Sequence, residues 1–283
     1  MKTKIAILTD SSTSIYNAKH DHKNIFMINI PCFLGDEIFT DFAKNGNEVF
    51  YKALKNSNVV PKTSQPSVGE TVDMYESIKV LGFTHIIYMP ISKELSGTYH
   101  NAHLARDMVE DIDITIVDTL SAVSILASMV IEAARLAEEN KTVAEILTVV
   151  ESMKTKWNYY LTVNDLTPLI KNGRLSNAKG FVANLLKIKP VIKFSQDGKL
   201  NAIENIRTYK SALKAVVEKV LQEINQDSCE VHISYTENKE DMEFVKELLL
   251  SKLPSLKILV YTLTPTIVAH LGLQAVGIGY INY

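Results

Sequence analysis

The stretch Thr84-His85-Ile86-Ile87-Tyr88-Met89-Pro90-Ile91-Ser92-Lys93-Glu94-Leu95-Ser96-Gly97-Thr98, continuing to Arg106, decides the fold. Its first part is a short β-branched and aromatic run stopped by proline, which predicts a buried strand. In its second part Leu104, Ala105 and Met108 follow Leu95, Tyr99 and Ala102 at helical spacing, which predicts a helix opening at Ser96-Gly97-Thr98. A strand that feeds a helix through a short loop leaves the first helical amides without partners, facing the crevice at the strand's carboxyl end. An anion fits there. The Ser96 and Thr98 hydroxyls add donors, and Gly97 leaves the backbone bare. On this stretch alone Ser96 reads first as an ordinary cap of its own helix, the commoner role for serine at such a position.

The same alternation extends on both sides. Lys4–Leu8 reads as a buried strand followed by the polar turn Thr9-Asp10-Ser11-Ser12-Thr13-Ser14, and Ile25–Ile30 as a second strand. Helices are predicted over Val49–Leu54 and Val68–Lys79, the latter behind a capping box of Ser67 and Glu70. The hydroxyl-rich Pro61–Ser67 lies between them as a loop. Asp113–Val117 is a strand, and Ala122–Glu139 and Val143–Met153 are helices. Strands alternating with helices predict a parallel sheet covered on both faces.

Beyond Lys141 the pattern changes. Tyr159–Val163 is a strand, a short helix begins around Asn164–Pro168 and stops at Asn172-Gly173, and Ile188–Phe194 with Leu200–Arg207 forms a hairpin across Asp197-Gly198. A helix over Ser211–Ile224, a strand over Val231–Tyr235, a helix over Asp241–Leu250 and strands over Leu256–Tyr261 and Ala275–Tyr283 complete the chain. The expected architecture is α/β with two domains: residues 1–155 around a parallel sheet, and residues 156–283 around a mixed or antiparallel sheet.

Composition narrows the function. With 283 residues, 46% hydrophobic and 22% charged, the chain is an ordinary globular protein, and a net charge of -2 supplies no basic field for nucleic acid. The early apolar run stops at Thr9-Asp10, too short for a secretory core, and no run approaches the length that spans a bilayer. Cys32 and Cys229 stand far apart in strand-like surroundings, which suits buried thiols. A cytoplasmic protein is expected.

Several stretches together resemble the DegV family of bacterial fatty-acid-binding proteins: Ile7–Ser12, Lys62-Thr63-Ser64-Gln65-Pro66-Ser67, Ile91–Tyr99 with Leu95-Ser96-Gly97-Thr98-Tyr99, Lys171-Asn172-Gly173-Arg174-Leu175-Ser176, and Pro265–Gly272 around His270. The resemblance implies an acyl chain in a tunnel between the two domains, with its carboxylate at their interface. It implies that Thr63 and Ser96 hydrogen-bond the carboxylate, with Ser64, Gly97 and Thr98 beside them. His270 would lie close by, and Arg174 near the mouth, where acyl phosphate or a kinase subunit is engaged. The ligand would be a long-chain fatty acid such as palmitate or oleate. Some members resemble the subunit that presents this ligand to a separate fatty acid kinase catalytic subunit, so the chain would be a binding protein and no enzyme by itself. The sequence departs from the family after His270, where Leu271-Gly272-Leu273-Gln274 replaces a glycine-rich run.

The chemistry is coherent without the family. Each buried methylene is worth roughly 0.8 kcal/mol, so the tail supplies most of the affinity. The head still needs donors, because an unpaired buried carboxylate costs several kcal/mol or takes up a proton. Hydroxyls serve either protonation state. Thr63 could equally bond its own loop, His270 could be a core histidine, and Arg174 an ordinary solvated arginine. No cofactor is expected: Gly277-Ile278-Gly279 opens no helix, and no glycine-rich loop with lysine is present to cradle ATP phosphates. His100 and His103 share a helix face without a completing ligand, which argues against a metal site. The alternatives are a lipid carrier or sensor without a kinase partner, or a phosphotransferase or hydrolase using Asp10 or Ser96.

Overall fold

The computed structural model describes residues 3–40, 46–180, 188–225 and 228–282. The chain opens on β1 (Ile5–Asp10), buried along its whole length, as a central strand of a covered parallel sheet must be. It continues through β2 (Ile25–Ile28), β3 (Cys32–Leu34), β4 (Glu37–Phe39), α1 (Gly46–Lys55), β5 (Lys62–Thr63) and α2 (Val68–Val80). The deciding stretch then forms β6 (His85–Tyr88) and α3 (Thr98–Arg106), followed by β7 (Asp113–Ile116), α4 (Val123–Glu138) and α5 (Val143–Lys154). The Ser67–Glu70 capping box at the start of α2 is formed in both directions. Strands β2, β1, β6 and β7 lie in that order, all parallel.

The second half runs through β8 (Trp157–Val163), α6 (Thr167–Lys171), β9 (Lys189–Phe194), β10 (Leu200–Ile206), α7 (Tyr209–Glu223), β11 (Cys229–Tyr235), α8 (Lys239–Lys252), β12 (Ile258–Thr262), α9 (Pro265–Leu271) and β13 (Ala275–Asn282). Its six strands follow the order β10-β9-β8-β13-β11-β12. All pairs are antiparallel except β11 with β12, so the sheet is mixed. Tyr283, the expected end of the last strand, lies outside the described residues.

One sheet was not legible in the sequence. β4, β3 and β5 form a small antiparallel sheet in which Thr63, expected in a loop, pairs with Cys32. Strands of two or three residues are too short to show a period, and β5 exists only because β3 offers it an edge.

Period-two alternation sorts the side chains into layers. In β1, Ala6 and Leu8 face α2 and α3, together with Tyr75, Ile86 and Ala102. Ile5 and Ile7 face inward. In β13, Val276, Ile278 and Tyr280 pack under α7 and α8, while Ala275 and Ile281 point the other way. The inward faces of the two sheets share one core, with Leu126, Met129 and Val130 of α4 wedged between them. Among the described residues no helix is long and apolar enough to cross a membrane.

Candidate functional site

Where the inward faces diverge, a narrow cavity of about 70 Å3 remains. Its walls are mainly apolar: Tyr159 and Leu161 of β8, Phe194 of β9, Val123 at the start of α4, Leu95 from the loop before α3 and Ile267 of α9. Val123 adopts a φ of 53°, a left-handed conformation rare for a β-branched residue that costs on the order of 1–2 kcal/mol. The strain falls on the cavity wall, where burial of the valine side chain against the core offsets it.

The polar lining is sparse, and four of its members are residues singled out in the sequence: Thr63, Ser96, Arg174 and His270. Thr63 is held by β5 and His270 by the last turn of α9, which places Thr63 Oγ1 2.8 Å from His270 Nε2. His270 Nδ1 is buried without a partner. Burial, and then the Arg174 guanidinium, push the His270 imidazole down to about 4, so it is neutral at physiological pH.

The Asn172-Gly173-Arg174 motif acts as a knot. Gly173, with a φ of 68°, stops α6 as a left-handed turn residue. On one side of it the Asn172 amide donates to the carbonyls of Pro61 and Ala269, at 3.1 and 3.2 Å. On the other, Arg174 Nε donates to the Leu95 carbonyl at 3.0 Å and Nη1 to the Asn172 carbonyl. Three separate segments, carrying Thr63, His270 and Ser96, are thereby held against one another.

Ser96 precedes Gly97, the residue that caps α3, and its hydroxyl accepts from the Thr98 amide at 3.3 Å and shares a 2.9 Å hydrogen bond with Thr98 Oγ1. It therefore has the cap-like contacts and also faces the cavity. Ser64, Gly97 and Thr98 stand off the wall. Ser64 is exposed, Thr98 is buried at the start of α3, and a Cβ on Gly97 would come within 3.0 Å of the Gln65 amide oxygen. Gly97 thus makes room for Gln65.

Asp10, the rival nucleophile, is fully buried and engaged through both oxygens. Oδ1 accepts from Ser12 N at 3.0 Å and from Ser12 Oγ at 2.6 Å, and Oδ2 accepts from Ile91 N at 2.7 Å. It ties the end of β1 to the loop that leads to Ser96. Among the described residues no three His, Cys, Asp or Glu side chains gather as a metal site requires. The apolar wall residues escaped the sequence reading because a wall residue and a core residue carry the same signal, burial on one face of a strand or helix.

The family model described as "Uncharacterised protein, DegV family" matches residues 4–283. A DegV domain-containing protein of Staphylococcus aureus is 32% identical over 282 residues, 99% of this chain and 98% of that protein. The fold is similar to that of the fatty acid binding DegV family protein of Streptococcus agalactiae, with a TM-score of 0.90 and 28% identity over 99% of each chain. It is also similar to that of the Streptococcus pneumoniae Fatty Acid Kinase B3 protein loaded with linoleic acid, with a TM-score of 0.85 over 99% of this chain and 100% of that one. At 20% identity this second likeness is one of fold.

Proposed function

Because this chain belongs to the DegV family, we propose that it binds a long-chain fatty acid between its two sheets, with the carboxylate at Thr63, Ser96 and His270. The observation that carries this reading is the cavity's composition. A mainly apolar wall carries the Thr63 and Ser96 hydroxyls, a neutral imidazole and one guanidinium, while the Thr266 hydroxyl on the same wall is engaged with Ser11 and the Ile30 carbonyl; this suits a long tail with a single acidic head. With a proton on His270 Nε2 the ring donates to Thr63 Oγ1, which frees the threonine proton for the carboxylate. Arg174 favours the charged head without locking it in place, because its Nε and Nη1 are held by backbone carbonyls. With the division between the two units at residues 155 and 156, each unit contributes two of the four polar groups.

The further step is presentation of the bound carboxylate to a separate kinase subunit that forms acyl phosphate; the chain itself has no phosphate-cradling loop. Native mass spectrometry of the protein purified from bacteria, followed by lipid extraction, tests the ligand class. One fatty acid per chain is the expected result. A protein that is empty, and stays empty after incubation with palmitate and oleate, removes the reading.

Two variants probe the head-group site. Thr63→Val and Ser96→Ala are each expected to weaken fatty acid binding by about 1–3 kcal/mol, measured by calorimetry, because each leaves a buried carboxylate short of a donor. Unchanged affinity in the double variant would leave the hydroxyls as local caps. For Arg174→Ala the expected outcome is retained lipid with poor acyl phosphate formation when the kinase subunit and ATP are added. Loss of lipid with an intact fold would assign Arg174 to the binding step.

A further inference from the structure

In the sequence Asp197-Gly198 is an ordinary hairpin turn; in the structure it touches the loop that carries Ser96. The turn joins β9 and β10 of the six-stranded sheet, and the cavity-wall residues Phe194 and Leu200 flank it. Two backbone hydrogen bonds close it, from the Gly198 amide to the Ser195 carbonyl and from the Ser195 amide to the Lys199 carbonyl, each 2.9 Å. The Gly198 carbonyl accepts a 3.0 Å hydrogen bond from the hydroxyl of Ser92. Ser92 is fully buried and lies in the loop between β6 of the four-stranded sheet and α3.

Position 198 requires glycine for two reasons. Its φ of 81° is a left-handed conformation that strains most side chains. Asparagine and aspartate tolerate that conformation, yet a Cβ here would stand 2.2 Å from Ser92 Oγ and 3.3 Å from Leu120 Cδ2. Any side chain at 198 therefore breaks the hydrogen bond, by turning the Ser92 hydroxyl away or by pushing the loop. Ser92 in turn builds that loop. Its hydroxyl accepts from the Glu94 amide at 3.3 Å, and its carbonyl accepts from the Leu95 and Ser96 amides at 3.0 and 3.2 Å. Ser92 is the base of a single turn of chain that ends at Ser96. Lys199, beside Gly198, adds an ion pair to Glu94 of the same turn at 3.5 Å.

We propose that Gly198 and Ser92 are positioning residues for the head group: the hairpin turn of one sheet fixes the base of the loop of the other, so that the Ser96 hydroxyl is in place before the carboxylate arrives. The inference rests on the fatty acid reading above. A donor that becomes ordered only on binding gives back part of its interaction as lost conformational freedom. Neither Ser92 nor Gly198 is among the described residues that line the cavity, so their effect on a ligand passes through Ser96.

The test is the affinity of the full-length protein for palmitate and for 1-hexadecanol, measured for the wild type, Ser92→Ala, Ser96→Ala, the double variant and Gly198→Ala. Ser92→Ala is expected to weaken palmitate about ten-fold, the scale of one hydrogen bond to a charged group. Hexadecanol, whose neutral head makes the weaker bond, is expected to lose less, so the preference for the acid narrows. In protein that already carries Ser96→Ala, adding Ser92→Ala is expected to change palmitate affinity by less than about two-fold, because the hydroxyl it positions is gone. Gly198→Ala is expected to narrow the preference in the same way. Equal losses for acid and alcohol, or a full further loss on the Ser96→Ala background, would make the contact a packing device alone and overturn the inference. Unchanged palmitate affinity in Ser92→Ala or in Ser96→Ala overturns it as well. If Gly198→Ala does not fold, the Ser92 and Ser96 variants decide. A wild type that does not bind palmitate overturns the fatty acid reading and this inference with it, whereas a wild type that binds it leaves that reading standing whichever way the variants fall.

Discussion

Asp10→Asn is expected to destabilise the protein by about 3 kcal/mol, the scale of a buried charged group whose hydrogen bonds are broken. The carboxylate is fully buried and accepts three hydrogen bonds. Burial pushes its pKa up, and the donors on Ser12 and Ile91 oppose that shift. Asparagine keeps the shape but has one acceptor, so its amide hydrogens must face either the Ser12 donors or the Ile91 amide. For a chain of this size such a loss lowers the thermal midpoint by roughly 6–12 °C, measurable by calorimetry or circular dichroism. Fatty acid affinity is expected to fall as well, because Ile91 begins the loop that carries Ser96. A variant with wild-type stability would show that Asp10 is no tie, and lost turnover in that stable variant would restore the nucleophile reading.

The second large effect is a pH dependence carried by His270. In the unfolded chain the imidazole takes up a proton near pH 6.5. In the folded protein burial, and then Arg174, hold it down to about 4. Between those values the unfolded state binds more protons, so stability rises with pH across the window. The contribution is fully present above pH 6.5, is lost as pH falls toward 4, and amounts to about 3 kcal/mol. Denaturant unfolding of the wild type and His270→Gln at several pH values checks it: the difference between the two should change over this window and flatten outside it. A bound carboxylate beside the ring favours the imidazolium, so lipid-loaded protein should show the shallower slope. Equal slopes for wild type and variant would mean that His270 titrates as it does in the unfolded chain.

What was legible in the sequence was local. The strand His85–Tyr88 and the helix from Thr98 follow from a proline-stopped β-branched run and a 3.6 period, and the α2 start from Ser67 and Glu70 at capping spacing. The change from parallel to mixed pairing after Lys141 was visible as a hairpin with Asp197-Gly198 at its turn. β5 was not visible, because two residues have no period. Nor were the wall residues Tyr159, Leu161 and Phe194, whose apolar pattern is that of any core strand.

By itself, then, the sequence determined the order and type of the main elements, the α/β class and the residue types able to hold an acidic head, since each depends on interactions within a few residues. Only the tertiary structure decided which of those residues meet. Thr63 and His270 lie 207 positions apart and come within 2.8 Å because Asn172 and Arg174 knot three distant segments together. The same holds for Gly277-Ile278-Gly279, a motif without chemistry in the sequence. Its glycines gain a use when strand register lays the Tyr159 ring against them. Register and packing between remote segments are set by the whole core at once, which no local pattern records.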